Sequence, residues 1–300
     1  MALVARAADW PRRTADLPRA PLCDSVLLAD PADFQVEAIH NPHMADAGGA
    51  PNRIDPVRAR RQWEALAAAY RQIGVRVEIL PAQAGLADLC FSANPLLFLP
   101  TPAGGEFWAS RMTHASRRPE VALHRAWCDS CGRSPRELSP GIQRFEGGGD
   151  GIPHPGRFLL HAGCGPRSER AAWDAIAAAH PTLDVLRYEL RDPRFYHLDT
   201  ALAALDETRC LYAPEAFDEH GIGLIHAAFA DPIALPLQEA LNFAGNAHCP
   251  DGRHVLLQRG SPRTEAALRE RGFLPVPLET SEFMKSGGSV FCLKQAFLSV

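Results

Sequence analysis

The chain has 300 residues, of which 46% are hydrophobic and 22% charged, with a formal net charge of -4. That composition is ordinary for a globular protein and excludes disordered, collagen-like and coiled-coil chains. The acidic balance carries no basic field for nucleic acid, and no apolar run reaches the ~20 residues that span a bilayer.

Residues 1–20 are rich in Pro and Arg and read as a loosely ordered arm. They contain no apolar core of the kind a secretion signal needs. Residues 21–300 read as a single domain, and the eight cysteines suit reduced thiols in a cytoplasmic protein. Val26–Leu28 is a short buried strand. Asp55 to Ile73 is an amphipathic helix, capped by Asp55, with Pro56 in its first turn and Gly74 at its end. Val75–Leu80 alternates as a strand does. Ser168 to His180 is a second helix, capped by Ser168 and stopped by Pro181, and Leu183–Leu190 follows as a strand. Thr264 to Arg271, ended by Gly272, is a third helix before the strand Phe273–Leu278. Helix, breaker and strand recur, which predicts an α/β protein built from a repeated unit.

Phenylalanines at 91, 145, 195, 243 and 291 stand 54, 50, 48 and 48 residues apart. Each is followed within three residues by a small or polar group: Asn94, Glu146, His197, Asn246 and Cys292. A period near 50 suggests propeller-like modules around one axis, with these groups gathered at one mouth. Glu146, His197 and Cys292 then supply a carboxylate, a base and a nucleophile. A cysteine attacks as its thiolate, and a glycine-rich approach such as Gly287-Gly288 leaves it reachable. Taken singly, Cys292 reads more readily as a packed thiol, and His197 as a hydrogen-bonded structural histidine.

Longer stretches carry a family resemblance. Phe145-Glu-Gly-Gly-Gly-Asp150, Phe195-Tyr-His-Leu-Asp-Thr200 and Met284-Lys-Ser-Gly-Gly-Ser-Val-Phe-Cys-Leu293 resemble signatures of the guanidino-group-modifying enzymes. Ile39-His-Asn-Pro-His-Met44, Ala87-Asp-Leu-Cys-Phe-Ser-Ala-Asn94 and Leu241-Asn-Phe-Ala-Gly-Asn246 extend the likeness in the family's order. The resemblance implies a five-bladed pseudosymmetric α/β propeller, the pentein fold. It also implies a cofactor-independent, metal-free cysteine hydrolase acting on a small guanidino substrate, with homo-oligomers possible.

In that reading Cys292 attacks the guanidino carbon and His197 moves the protons. Glu146 holds the guanidinium or orients His197. Asp199, and more loosely Asp88, bind the guanidinium, while Asn41 belongs to the same substrate-binding set. Arg117 and Arg167 resemble carboxylate clamps. A dimethylarginine dimethylaminohydrolase-like activity leads, followed by arginine dihydrolase or deiminase and then amidinotransferase. Asn94 stands where many family hydrolases carry Asp, and an amide can also bond a neutral ureido group. The sequence departs from the family at Asn94-Pro95-Leu96 and Gly163-Cys-Gly-Pro-Arg-Ser168.

A different class of function rests on Trp127-Cys-Asp-Ser-Cys-Gly132, which resembles a thioredoxin-type redox motif. Gly132 and Pro135 break a helix there, so Cys128 and Cys131 read as neighbouring thiols of a loop insertion. No second pair stands at zinc-site spacing. His40 and His43 read as loop residues.

Overall fold

The computed structural model describes residues 2–299. The predicted punctuation builds the first unit. The Asp55 carboxylate accepts from the Val57 and Arg58 amides and starts the helix Pro56–Gln72. That helix buries Ala59, Trp63, Leu66, Ala67 and Tyr70 at helical spacing. Gly74 leaves it in the left-handed region at φ 84°. The strand Arg76–Leu80 then runs parallel to the wholly buried Ser25–Ala29.

The same strand–helix–strand step returns three times. It runs through Leu159–Cys164, Arg170–Ala179 and Asp184–Glu189, then through Arg209–Tyr212, Glu219–Ala228 and Asp231–Ala234. The last instance is His254–Gln258, Pro262–Glu270 and Leu274–Leu278. In each the two strands pair in parallel. One unit differs: Leu96–Thr101 and Gly104–Ala109 form an antiparallel hairpin, followed by the helix Arg118–Ser130. Among the described residues the strands form five separate sheets, so the fold is mixed α/β. The C-terminal strand Gln295–Phe297 lies antiparallel on Ser25–Ala29, joining the end of the chain to its first sheet. The five periodic phenylalanines are all buried.

Several expectations are corrected. The N-terminal stretch is pinned rather than loose. Ala2–Val4 pairs with Asp184–Leu186, Leu17 is buried, and the buried Trp10 indole donates to Asp184 at 2.8 Å. Ser168 does not cap a helix, because the helix starts at Arg170 and the Ser168 hydroxyl accepts from the Glu146 amide at 3.0 Å. Thr264 lies inside the helix Pro262–Glu270 and donates to Glu239. Cys128 and Cys131 are not in a loop insertion. Cys128 sits in the last turn of Arg118–Ser130 and Cys131 caps it, so Gly132 marks the helix end and not its absence. Both thiols are free.

Candidate active site

Glu146 and His197 each precede a single short turn, Gly147–Asp150 and Leu198–Thr200 respectively. The glycine run has a steric cause. A β-carbon on Gly149 would stand 2.4 Å from Asn94 Nδ2 and 3.3 Å from the His197 ring. Only glycine lets the two side chains flank that backbone so closely. Gly287, at φ 89°, plays the same part near the nucleophile, since a β-carbon there would meet Asn41 and the Tyr196 hydroxyl within 2.9 Å.

Glu146 is fully buried and fully engaged. Oε1 accepts from the Thr113 amide at 3.0 Å. Oε2 accepts from Arg167 Nη1 at 3.0 Å and meets His197 Nε2 at 2.9 Å. Burial alone would raise its pKa. The His197 hydrogen bond and the Arg167 guanidinium outweigh it and hold the carboxyl well below the usual range. Glu146 therefore orients the imidazole and leaves His197 Nδ1 buried without a partner. Arg167 also donates to the His40 carbonyl at 3.0 Å and lies over the Tyr196 ring. Those two bonds use two of its five N–H groups.

Cys292 is held from two sides. Its Sγ donates to Asp199 Oδ2 at 3.0 Å, and Asn246 Nδ2 donates to Sγ at 3.2 Å. Asn246 Oδ1 meanwhile accepts from the amides of Ser289, Phe291 and Cys292. Burial, then the Asp199 charge, pushes the thiol pKa well above its ordinary value. Burial likewise pushes Asp199 up to about 7. Asp199 Oδ1 is buried with no donor.

A pocket of ≈ 310 Å³ empty volume brings Cys292 together with Asn41, Asp88, Asn94, Arg117 and Arg167. Six of the nine sequence-predicted site residues line this pocket, Glu146 and Asp199 are bonded to the lining residues Arg167 and Cys292, and His197 is bonded in turn to Glu146. Asn94 Oδ1 accepts from Arg117 Nη1 at 3.0 Å, which fixes the amide and leaves Nδ2 buried without an acceptor. Arg117, which lines the pocket, has most of its donors engaged within the protein. It makes a two-point contact with Glu120 and also donates to the Asp88 and Phe91 carbonyls. Asp88 accepts from the Ser286 hydroxyl, and Asn41 donates to the Ser286 carbonyl. The sequence reading missed Glu120, Ser286 and the bonding role of Asn246. Only Asn246 carried a signal, its place after the periodic Phe243. No cluster of three or more metal-ligating side chains occurs among the described residues.

No family model matches the chain. It is 35% identical over 283 residues to a dimethylarginine dimethylaminohydrolase of Mycobacterium tuberculosis, covering 91% of this chain and 86% of that protein. It is 32% identical over 270 residues to the bifunctional arginine dihydrolase/ornithine cyclodeaminase AgrE of Nostoc, covering 89% of this chain but 37% of AgrE. Among solved structures it resembles the N-terminal domain of ArgZ, a cyanobacterial arginine dihydrolase, in a substrate-bound mutant form. The TM-score is 0.84 at 30% identity, over 92% of this chain and 98% of that one. The fold, the site and these relatives define a hydrolase of C–N bonds in linear amidines. The chain belongs to the guanidino-group-modifying superfamily that contains the dimethylarginine dimethylaminohydrolases and arginine dihydrolases.

Proposed function

We propose that the chain hydrolyses the guanidino group of arginine through a covalent adduct on Cys292, and carries the product citrulline on to ornithine. The first part rests on the groups left unpartnered around the nucleophile. A guanidinium offers only N–H donors and a positive charge, and the buried Asp199 Oδ1 lacks a donor. Binding there brings a cation beside Asp199 and lowers the cost of ionising the thiol. Sγ attacks the guanidino carbon, and the thiol proton passes to His197 Nδ1. His197 returns it to the departing ammonia, leaving a thiouronium. His197 then takes a proton from water as the hydroxyl adds, and the C–S bond breaks to give citrulline. Arg167, with donors to spare, receives the substrate carboxylate. Arg117 serves instead to anchor Asn94.

The observation that carries the second part is Asn94 Nδ2. An N–H donor has nothing to bond on a guanidinium, but it matches the carbonyl oxygen of a ureido group. Citrulline attacked in the same way loses ammonia, and the carbamate left by hydrolysis sheds carbon dioxide to give ornithine. A second reading takes a methylated guanidinium as substrate. It is favoured by Met44 and Phe91, the apolar side chains of the same pocket. The same reading of the chain arranges the five sheets as blades of a pseudosymmetric propeller. The recurring strand–helix–strand unit and the pairing of Gln295–Phe297 with Ser25–Ala29 support it.

Amino-acid analysis of reactions with arginine and with dimethylarginine tests both parts. Wild type should release ornithine from arginine, and Asn94→Asp should stop at citrulline. Citrulline as sole product of both proteins overturns the dihydrolase reading. Turnover of dimethylarginine alone selects the methylated substrate. Undiminished turnover in Cys292→Ala overturns the cysteine mechanism.

A further inference from the structure

A second cavity, of ≈ 680 Å³ empty volume, shares no lining residue with the active-site pocket. Its walls include Leu97, Phe98, Ile152 and Phe291, with Lys294 and Gln295 among them. Lys294 is only 4% exposed, and its Nζ lies 3.1 Å above the centre of the Phe291 ring. Among the described residues, however, Nζ makes no hydrogen bond or ion pair. The carboxylate whose charge bears on it is that of Asp199, with the Cys23 and Cys292 thiols as further neighbours. Asp199 uses Oδ2 to hold Cys292 instead. Beside the lysine, Gln295 Oε1 is also buried and unpartnered. The histidines of the cavity are committed elsewhere: His248 to the Tyr70 hydroxyl, His154 to His161 and the Glu207 carbonyl.

A buried ammonium that makes no hydrogen bond is costly unless something pairs with it. Burial accordingly lowers the Lys294 pKa to about 7. A bound anion would oppose that shift. The lining selects the kind of anion. Phosphate or sulfate would press hydrated oxygens against Leu97, Phe98 and Ile152, whereas an aliphatic carboxylate presents one charged end and an apolar body.

We propose that this cavity is a binding site for a small aliphatic carboxylate, with the Lys294 ammonium holding the carboxylate and Leu97, Phe98, Ile152 and Phe291 enclosing the alkyl chain. The cavity shares no lining residue with the active-site pocket, so its ligand is tested separately from the proposed activity.

Calorimetric titration of the whole protein with sodium butyrate at neutral pH tests the site. Wild type should show saturable binding at one site. Lys294→Met keeps an unbranched side chain one atom shorter and removes the charge, and should weaken binding at least tenfold. Ala204→Phe fills the cavity from the strand Leu202–Ala204 while leaving the ammonium in place, and should do the same. Because Ala204→Phe leaves Lys294 intact, it decides the matter if the lysine variant does not fold. Absence of saturable binding to wild type overturns the proposal. So does undiminished binding by either folded variant, which would put butyrate elsewhere, or tighter binding of inorganic phosphate than of butyrate.

Discussion

The surroundings of Cys292 favour its thiol over its thiolate. Burial and the Asp199 carboxylate both favour the neutral form, and Sγ spends its proton on Asp199 Oδ2. A buried cysteine held this way is chemically quiet until a cation arrives beside Asp199. Alkylation of Cys292 by iodoacetamide, followed by peptide mapping, should therefore be slow at neutral pH and rise only above its ordinary pKa of 9.0. The sign of the carboxylate's effect gives a sharper expectation. Asp199 raises the thiol pKa, so Asp199→Asn should move the alkylation profile to lower pH. Turnover should nevertheless fall by about 10- to 100-fold, the equivalent of one charged hydrogen bond of ~1.5–3 kcal/mol to the guanidinium. A more reactive thiol in a less active enzyme is an outcome a purely structural Asp199 would not produce. An unshifted profile would show that the carboxylate does not govern the thiol.

Two turns distant in sequence behave as one element. Phe243 adopts φ 60°, in the left-handed region, and the turn beyond it delivers Asn246 to the loop that carries Cys292. The Asn246 carbonyl takes three amides of that loop, all of them buried. Removing the acceptor orphans the Ser289 and Cys292 amides, while that of Phe291 keeps the Asn246 backbone carbonyl, so Asn246→Ala should lose about 2–4 kcal/mol of stability in urea denaturation. Asn246→Asp keeps the acceptor but replaces the N–H donor at Sγ with an oxygen. It should recover most of the stability and little of the activity. Equal stability of the alanine variant and wild type would remove Asn246 from this role.

The same scale shows what the sequence made legible. Asp55, Pro56 and Gly74 punctuate their helix because capping and φ > 0 are local demands. The phenylalanine period and the glycine run marked the site because the unit repeats and because Gly149 must pass between two side chains. Ser168 was misread because a serine before a helix looks like a cap whether its hydroxyl serves the helix or, as here, the Glu146 amide. The ion pair of Arg117 was hidden for a related reason. Its partner Glu120 lies one turn along in a helix that the breakers at Gly132 and Pro135 had hidden. Periodicity reports which face of an element is buried, not which side chain waits on the other side.

At the scale of the whole molecule, a strand of three residues ties the C-terminal segment to the first sheet. Ser25–Ala29 pairs with Arg76–Leu80 on one side and with Gln295–Phe297 on the other. Phe297 is buried, with the Trp127 and Phe107 ring centres 5.0 and 6.4 Å away. Emptying such a position costs about 3–5 kcal/mol, a large share of the ~5–15 kcal/mol that holds a typical domain folded. Phe297→Ala should thus lower the melting temperature strongly. Deleting residues 295–300 should cost more, because it also bares the amides and carbonyls along one edge of Ser25–Ala29. Removing residues 2–5 is the control. Ala2–Val4 is an edge strand on the outside of Asp184–Glu189, and its loss should leave the other sheets as they were. Hydrogen exchange then distinguishes two architectures. If the five sheets close into a ring, loosening the Gln295–Phe297 seam relaxes every neighbour in turn. Protection should fall in His254–Gln258 and Leu96–Thr101 as well as in Ser25–Ala29, and melting should remain one cooperative step. Exchange that rises only between residues 25 and 80 would mean that the sheets are joined in a row, and would overturn the propeller.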